Sequence, residues 1–494
     1  MSTTAASRPQ YGNWVQRRSP GIGSIGLIGS VILLAGLVVP VLVMVFSTWQ
    51  AAVPVAVFFL VAFTLVGTPL GSLLTSLVVF HRQADARENQ WRSGVFTRNK
   101  NHQMRLPGML GTTTLLSKSD AFGNEFAVVK SSLKGSLYTV VARCVAEGPS
   151  LQDQERIDGW VASYGGLLAA CGQEPALVCA KAIVDTAPDV GGRLGASVRA
   201  VRSPASPQLA RDVMDEVVRT YPAAASSNIT YIELTFRGRG LSRLGREDEI
   251  LAELARRVPT LLGRLEAAGG GGVEMVGPRD LAKIVYIAYN PAAARFEEEA
   301  ELAGLDEPIP WHEAGPVGAQ ATWDHYRHDS GVSVTWEMTR APRAKITERA
   351  LASILEPHGD FVRKRVALVY RPHSPDEAMQ ASENDSRTAN FTATTSSKRP
   401  SAAASMAVRA TEQARHEVAS GAGLVRFSIL VTATVASASD LPQAVATVES
   451  RAGAVPIKLR RSYGSQGAAF AATMPVGFVP WAHTVIPAKV REWL

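Results

Sequence analysis

From Ser19 to Phe80 the chain has no Lys, Arg, Asp or Glu, and apolar residues fill this stretch in two runs, 25–46 and 53–80. Only Ser47-Thr48-Trp49-Gln50 parts them. A helix rises about 1.5 Å per residue and a bilayer core is roughly 30 Å thick, so each run is long enough to span once. Lipid offers the backbone no hydrogen-bond partners, which leaves a helix as the state for both. The pattern predicts a transmembrane helical hairpin over residues 21–82, after a mobile, polar segment at 1–20.

Beyond Phe80 the pattern changes to short alternating runs and amphipathic stretches. Alternation predicts strands at 125–130 and 136–144, turning at Lys134-Gly135, and at 176–184, 229–236 and 273–276. Helical spacing predicts helices at 151–171, 207–220, 247–268 and 278–288, the third closed by the glycines at 269–272. The order then restarts. A hairpin at 323–326 and 332–338 turns at Asp329-Ser330-Gly331, followed by a helix at 347–355 and a strand at 366–370. Residues 375–401, rich in Ser, Thr, Asn and Ala, read as a flexible insertion. A helix at 404–420, a strand at 426–436, a helix at 441–451 and a strand at 457–461 complete the series. The predicted fold class is α+β: the hairpin, then two successive α+β units, 105–315 and 316–494, each a sheet with helices on one face. The repeat is one of element order, without clear identity between halves.

The flanks orient the hairpin. Arg8, Arg17 and Arg18 precede it and Arg82 and Arg87 follow, so both termini are expected in the cytoplasm. Trp14, Arg17, Arg18, Trp49 and Arg82 are the expected topology anchors. A cleaved signal peptide would not continue into a second full-length apolar run, and Ser19-Pro20-Gly21 is not the usual continuation of a twin-arginine signal. Gly23, Gly26 and Gly29 in the first run and Gly67 and Gly71 in the second are candidate helix-packing positions, within the hairpin or against another membrane protein. Pro40, Pro54 and Pro69 kink or bound the spans.

Composition narrows the chemistry. The 494 residues carry a net charge of +7, without a dense Lys/Arg patch interleaved with aromatics, so direct nucleic-acid binding is not expected. Lys458-Leu459-Arg460-Arg461 alternates like a strand flank. Cys144, Cys171 and Cys179 are three, with no C-x-x-C spacing, which argues against a disulfide framework or structural zinc and fits a reducing compartment. No G-x-x-x-x-G-K-[ST] occurs, so the chain is not itself a P-loop ATPase. G-x-S-x-G, H-E-x-x-H and the kinase set are missing as well. His325-Tyr326-Arg327-His328-Asp329 is the best metal candidate, but residues three apart on a strand face opposite ways, and a hairpin tip is the simpler reading. The acidic run Glu297-Glu298-Glu299 with Glu301, Asp306 and Glu307 reads as a solvated helix face or a surface for a basic partner. No catalytic, cofactor-binding or metal residue is assigned, and no cofactor is expected.

Tyr11-Gly12-Asn13-Trp14, then Arg17-Arg18-Ser19-Pro20-Gly21 running into a two-span hairpin, resembles a family of actinobacterial integral membrane proteins associated with conjugation and type IV secretion. The hairpin is similar to the small PrgI-type inner-membrane subunit of those machines. Residues 110–490 are similar to the N-terminal, non-motor region of the conjugation ATPase, through Val366-Ala367-Leu368-Val369-Tyr370-Arg371-Pro372, residues 414–437 and residues 475–487. The chain stops where such an ATPase would begin its motor. The resemblance implies a non-catalytic membrane scaffold that docks a separately encoded P-loop ATPase, contacts membrane lipid and other channel subunits, and assembles as a homo-oligomer. A type VII secretion membrane-complex subunit is the alternative, and a membrane-tethered enzyme the third.

Overall fold

The computed structural model describes residues 26–67, 90–91, 105–132, 136–146, 152–203, 205–342, 345–395 and 402–483, with positions 12, 77 and 148. The chain forms two compact units, one built on residues 16–87 and the other on 88–482.

In the first unit, helix α1 (Gly26–Phe46) and helix α2 (Trp49–Gly67) are joined by Ser47-Thr48 alone. The Thr48 carbonyl accepts the N–H groups of Ala51 at 3.1 Å and Ala52 at 3.3 Å, so the second helix starts within the expected turn. The helices touch at Gly36, where a Cβ would lie 2.9 Å from the Phe59 Cβ. Pro40, one turn on, has no N–H to give the Gly36 carbonyl. Gly36 was not among the expected packing glycines. Of those, Gly23 and Gly71 lie outside the described residues, and Gly26, Gly29 and Gly67 fall in the outermost turns of the two helices. Side chains of the pair are described over 30–46 and 49–64, and among the described residues no helix is long and apolar enough to cross a membrane.

The second unit is built on one antiparallel sheet of 13 strands among the described residues. Strand β1 (Gln90–Trp91) lies at one edge. The first half runs β2 (Thr113–Ser119), β3 (Glu125–Ser131), β4 (Leu137–Val145), helix α3 (Gln154–Gly172), β5 (Leu177–Pro188), helices α4 (Gly192–Val201) and α5 (Gln208–Ala224), and β6 (Ser226–Arg237). It ends with α6 (Gly238–Leu241), α7 (Glu247–Leu265), β7 (Gly272–Met275), α8 (Pro278–Tyr289) and α9 (Ala293–Leu302). The second half repeats the order: β8 (Gly318–Ala321), β9 (Tyr326–His328), β10 (Gly331–Arg340), α10 (Ala352–Leu355), β11 (Arg363–Pro372), α11 (Pro375–Thr395), α12 (Ala402–Ala419), β12 (Val425–Val435), α13 (Leu441–Gly453), β13 (Lys458–Arg461) and α14 (Gln466–Ala472).

Pairing makes the repeat explicit. In the first half the spatial order is β2-β3-β4-β6-β5 with β7 also on β4; in the second it is β8-β9-β10-β12-β11 with β13 also on β10. Each half even places a threonine pair at the same point: Thr139 against Thr235, and Thr335 against Thr432, hydroxyls 2.9 and 2.8 Å apart. The halves do not keep a sheet each. Strand β5 pairs antiparallel with β11 over Lys364↔Thr186 to Tyr370↔Ala180, which makes one continuous sheet.

Helices cover both faces, not one. Period-two alternation sends Phe126, Val128, Leu234 and Phe236 toward α3 and α7, and Val334, Trp336, Val366 and Val431 toward α13. The opposite positions, Ala127, Val129, Ile183, Tyr231, Ala367 and Val369, join α8, α14 and residues 474–479 in a core that crosses the seam. The expected flexible insertion is instead helix α11, through Thr395, with residues 396–401 outside the described set. Ser374 and Glu377 close a capping box, each backbone N–H reaching the other's side chain, at 3.2 and 3.3 Å. The helix expected at 347–355 shrinks to α10.

Two glycines, one crowded and one open, differ in what a side chain would meet. A Cβ at Gly423, in the loop just before β12, would sit 2.5 Å from the Ala169 Cα of α3, whereas one at Gly263 on α7 meets nothing within 4 Å. Gly423→Val is expected to lower stability by about 1–3 kcal/mol and Gly263→Ala to raise it by about 0.4–1 kcal/mol, both read by thermal melting in detergent.

Candidate functional site

The densest group of buried charges lies at the seam. Register places Arg365 opposite Asp185 and Val369 opposite Lys181, all on the face covered by α8 and α14. Asp185 does not serve Arg365. It takes Arg363 in a fork, Nε at 2.8 Å and Nη2 at 2.7 Å. Burial works against the Arg363 charge and the Asp185 carboxylate more than restores it, leaving its pKa above the ordinary value. Arg365 is 1 % exposed, its guanidinium nitrogens make no hydrogen bond, and its charge rests 4.5 Å over the Phe470 ring. Burial pulls its pKa down to about 10.

One strand over, Lys181 and Glu233 form a fully buried ion pair, Nζ to Oε1 2.8 Å, outside hydrogen-bond alignment. The Gly477 N–H donates to the other Glu233 oxygen at 3.0 Å. Gly477 has φ +75, and a Cβ there would come within 2.5 Å of the Thr139 hydroxyl, so only glycine brings the backbone this close. The belt is packed over by Phe470, Val476 and Val479, all without exposure. Its charges answer one another across strands, which is how a sheet face can carry ions in its core.

His325 and His328 part company as the strand pattern required. His325 lies at the surface with Nδ1 2.8 Å from Asp324. His328 is fully buried: Nδ1 donates to the Tyr289 carbonyl at 2.5 Å, so Nε2 accepts from Ser333 at 2.8 Å. Burial lowers its pKa to about 4. Among the described residues no group of three or more His, Cys, Asp or Glu is placed to hold a metal ion. Cys144, Cys171 and Cys179 are free and buried, and burial pushes the first two thiols up to about 11. The acidic run is engaged from within: Arg193 reaches Glu298 and Glu301, Lys283 reaches Glu301 and Asp306, and Arg279 reaches Asp306. Arg460 and Arg461 of the basic cluster meet Glu337 and Glu449.

Surfaces that invite a partner lie elsewhere. On α1, Leu37, Val41 and Met44 are exposed, and on α2 so are Val57, Phe58 and Val61. Trp49 opens α2 and is exposed; Trp14, Arg17, Arg18 and Arg82 lie outside the described residues. A shallow groove of about 600 Å³ between α11 and α12 is lined by Met379, Glu383, Glu412, Arg415 and His416. Another of about 720 Å³ runs beside β2, lined by Arg105, Thr112, Ser132, Trp311, His312 and Glu313. Neither brings the buried ionic groups to solvent.

Two outcomes check the seam. Asp185→Asn leaves the largely buried Arg363 without its carboxylate and is expected to cost roughly 3–5 kcal/mol, while Arg365→Met stays within about 1 kcal/mol of the parent or above it, both by denaturant midpoint. His328 is neutral in the fold with a pKa below its unfolded value, so the unfolded chain binds more protons between about pH 6.5 and 4. Stability is therefore expected to fall as pH drops through that window, by up to roughly 3 kcal/mol, with the slope reduced in His328→Gln.

Compared with known proteins, the chain matches no protein-family model, and no curated protein sequence is similar to it.

Proposed function

We propose that the protein is a membrane-anchored, non-catalytic scaffold subunit of a conjugation- or type IV secretion-like machine, and that it docks a separately encoded P-loop ATPase at the cytoplasmic face. The observation that carries the anchor is the outward apolar surface of the helix pair, where Leu37 is 68 % and Phe58 67 % exposed. Contiguous apolar exposure of this kind is costly in water and marks a surface that another apolar phase covers. With the charge-free runs continuing on either side of the described helices, lipid is the natural phase.

The docking role is supported by what the second unit is built to do. Its buried ionic groups pair within the fold at the seam, while the β2 edge and the groove between α11 and α12 are open to partners. The sequence lacks a phosphate loop of its own, and its opening motif resembles a family whose machines employ a separate motor. The tested outcome is co-purification: gentle solubilisation from native membrane should recover the chain with a P-loop ATPase in fixed proportion. Recovery of the chain alone under those conditions contradicts the docking role.

A further inference from the structure

Strands β2 and β8 hold equivalent places in the two halves, and their outer edges differ. The outer edge of β8 is covered by β1, with Gln90 opposite Ala319 and Trp91 opposite Gly318. Among the described residues no strand pairs with the outer edge of β2. The register shows which groups that edge presents. The Asp120 N–H donates to the Asn124 carbonyl at 2.9 Å and the Ser132 N–H to the Thr112 carbonyl at 3.4 Å, so the even-numbered residues from 112 to 120 bond to β3. Leu115, Ser117 and Ser119 therefore turn their N–H and C=O groups outward, a ready template for one more strand. Each end of the edge carries a further feature. Beyond β2 the Asp120 carboxylate accepts the N–H groups of Phe122 at 2.8 Å and Asn124 at 2.9 Å, and this held turn leaves Phe122 78 % exposed. At the other end lies the groove of about 720 Å³, with Gly111, Thr112, Thr113 and Trp311 in its wall. The Trp311 indole donates to the Thr113 hydroxyl at 3.0 Å, which fixes that wall beside the strand.

We propose that the β2 edge is a self-association surface, at which a second copy of this chain adds its own β2, antiparallel about a two-fold axis through Ser117. The outward groups set the axis. Leu115, Ser117 and Ser119 are symmetric about residue 117, so pairing Leu115 with Ser119 of the other copy, and Ser117 with Ser117, satisfies every one of them. The same register carries Phe122 of each copy to position 112 of the other, the end at which the groove lies. One copy's exposed ring thus meets the other copy's groove, twice over, and such self-complementarity is what a closed two-fold contact needs. Lys118 is the one charge on β2, and a lysine on an edge strand often guards it. In this register Lys118 stands opposite Leu116 of the other copy, so like charges are not directly opposed. The chain already joins equivalent strands in this manner, since β5 and β11 of its two halves pair antiparallel at the seam.

The test uses the full chain in mild detergent, with its mass read by light scattering over a concentration series. A dimer is expected. Cys144, Cys171 and Cys179 are buried, so an introduced surface thiol is the one that reacts. Oxidation of Ser117→Cys should link the two copies, because Cα atoms of a hydrogen-bonded antiparallel pair lie about 5.5 Å apart, within disulfide reach. Phe122→Cys should give no link, since its counterpart lies on the order of 30 Å away along the paired strands. Phe122→Asp should raise the dimer dissociation constant roughly tenfold or more. Ser117→Pro separates the edge from the fold: the lost N–H is one that points away from β3, so the strand keeps its own ladder. That variant should be monomeric with an unchanged melting midpoint. A monomeric parent overturns the proposal, as does an oligomer that survives Ser117→Pro or forms no link at 117. A monomer that instead takes an extended peptide of another protein on this edge overturns it equally.

Discussion

The pairing of β5 with β11 is the constraint on which the rest of the second unit depends. Without it each half would end in an open strand edge, with a row of unmet N–H and C=O groups. Joined, the two edges close each other along seven register positions, from Lys364↔Thr186 to Tyr370↔Ala180. The pairing also brings Arg363, Arg365, Asp185 and Lys181 onto one buried face, where their charges must be answered locally. Asp185 takes Arg363, Glu233 takes Lys181, and Arg365 is left to the face of Phe470. Helices α8 and α14 and the turn at Gly477 then seal the belt, so the second half of the chain closes over the first.

The joined halves form one continuous sheet whose two helical insertions leave opposite ends of the central strand pair. The same topology supplies α4–α5 at one end of the central strands and α11–α12 at the other, and the sequence has given them different faces. Helix α5 of the first pair turns Leu209, Val213 and Tyr221 outward beside two arginines and three acids. The second carries a shallow groove between α11 and α12, lined by Met379, Glu383, Glu412, Arg415 and His416. The helix pair α1–α2, joined by two residues, turns exposed apolar side chains outward, and the proposed anchor rests on that surface.

Much of the fold was legible from periodicity. Strands β3, β4, β5, β6, β11 and β12 and helices α3, α5, α7, α8 and α13 carry long apolar patterns that only one secondary structure satisfies. Strand β2 escaped because it is a largely polar edge strand, β8 because it is only four residues long, and α4 because Gly191-Gly192 reads as a loop when it in fact starts the helix, with Gly191 at φ +77. Helix α11 was hidden by its Ser, Thr and Asn content, although Ser374-Pro375-Asp376-Glu377 carries the capping-box signal. The seam was not legible at all. Arg363-Lys364-Arg365 looks like a solvated flank, and nothing local says that Asp185 waits on the neighbouring strand. The outward stripe on α5 has the spacing of a core-facing helix, so its helical state was readable and its exposure was not.

The most direct measurement of the central claim is alkaline extraction of native membranes combined with protease added from the cytoplasmic side. A chain anchored through α1–α2 stays in the pellet at high pH, and protease from that side removes the second unit while leaving the helix pair protected. Release of the intact chain into the supernatant, or protection of the second unit from cytoplasmic protease, would contradict the account.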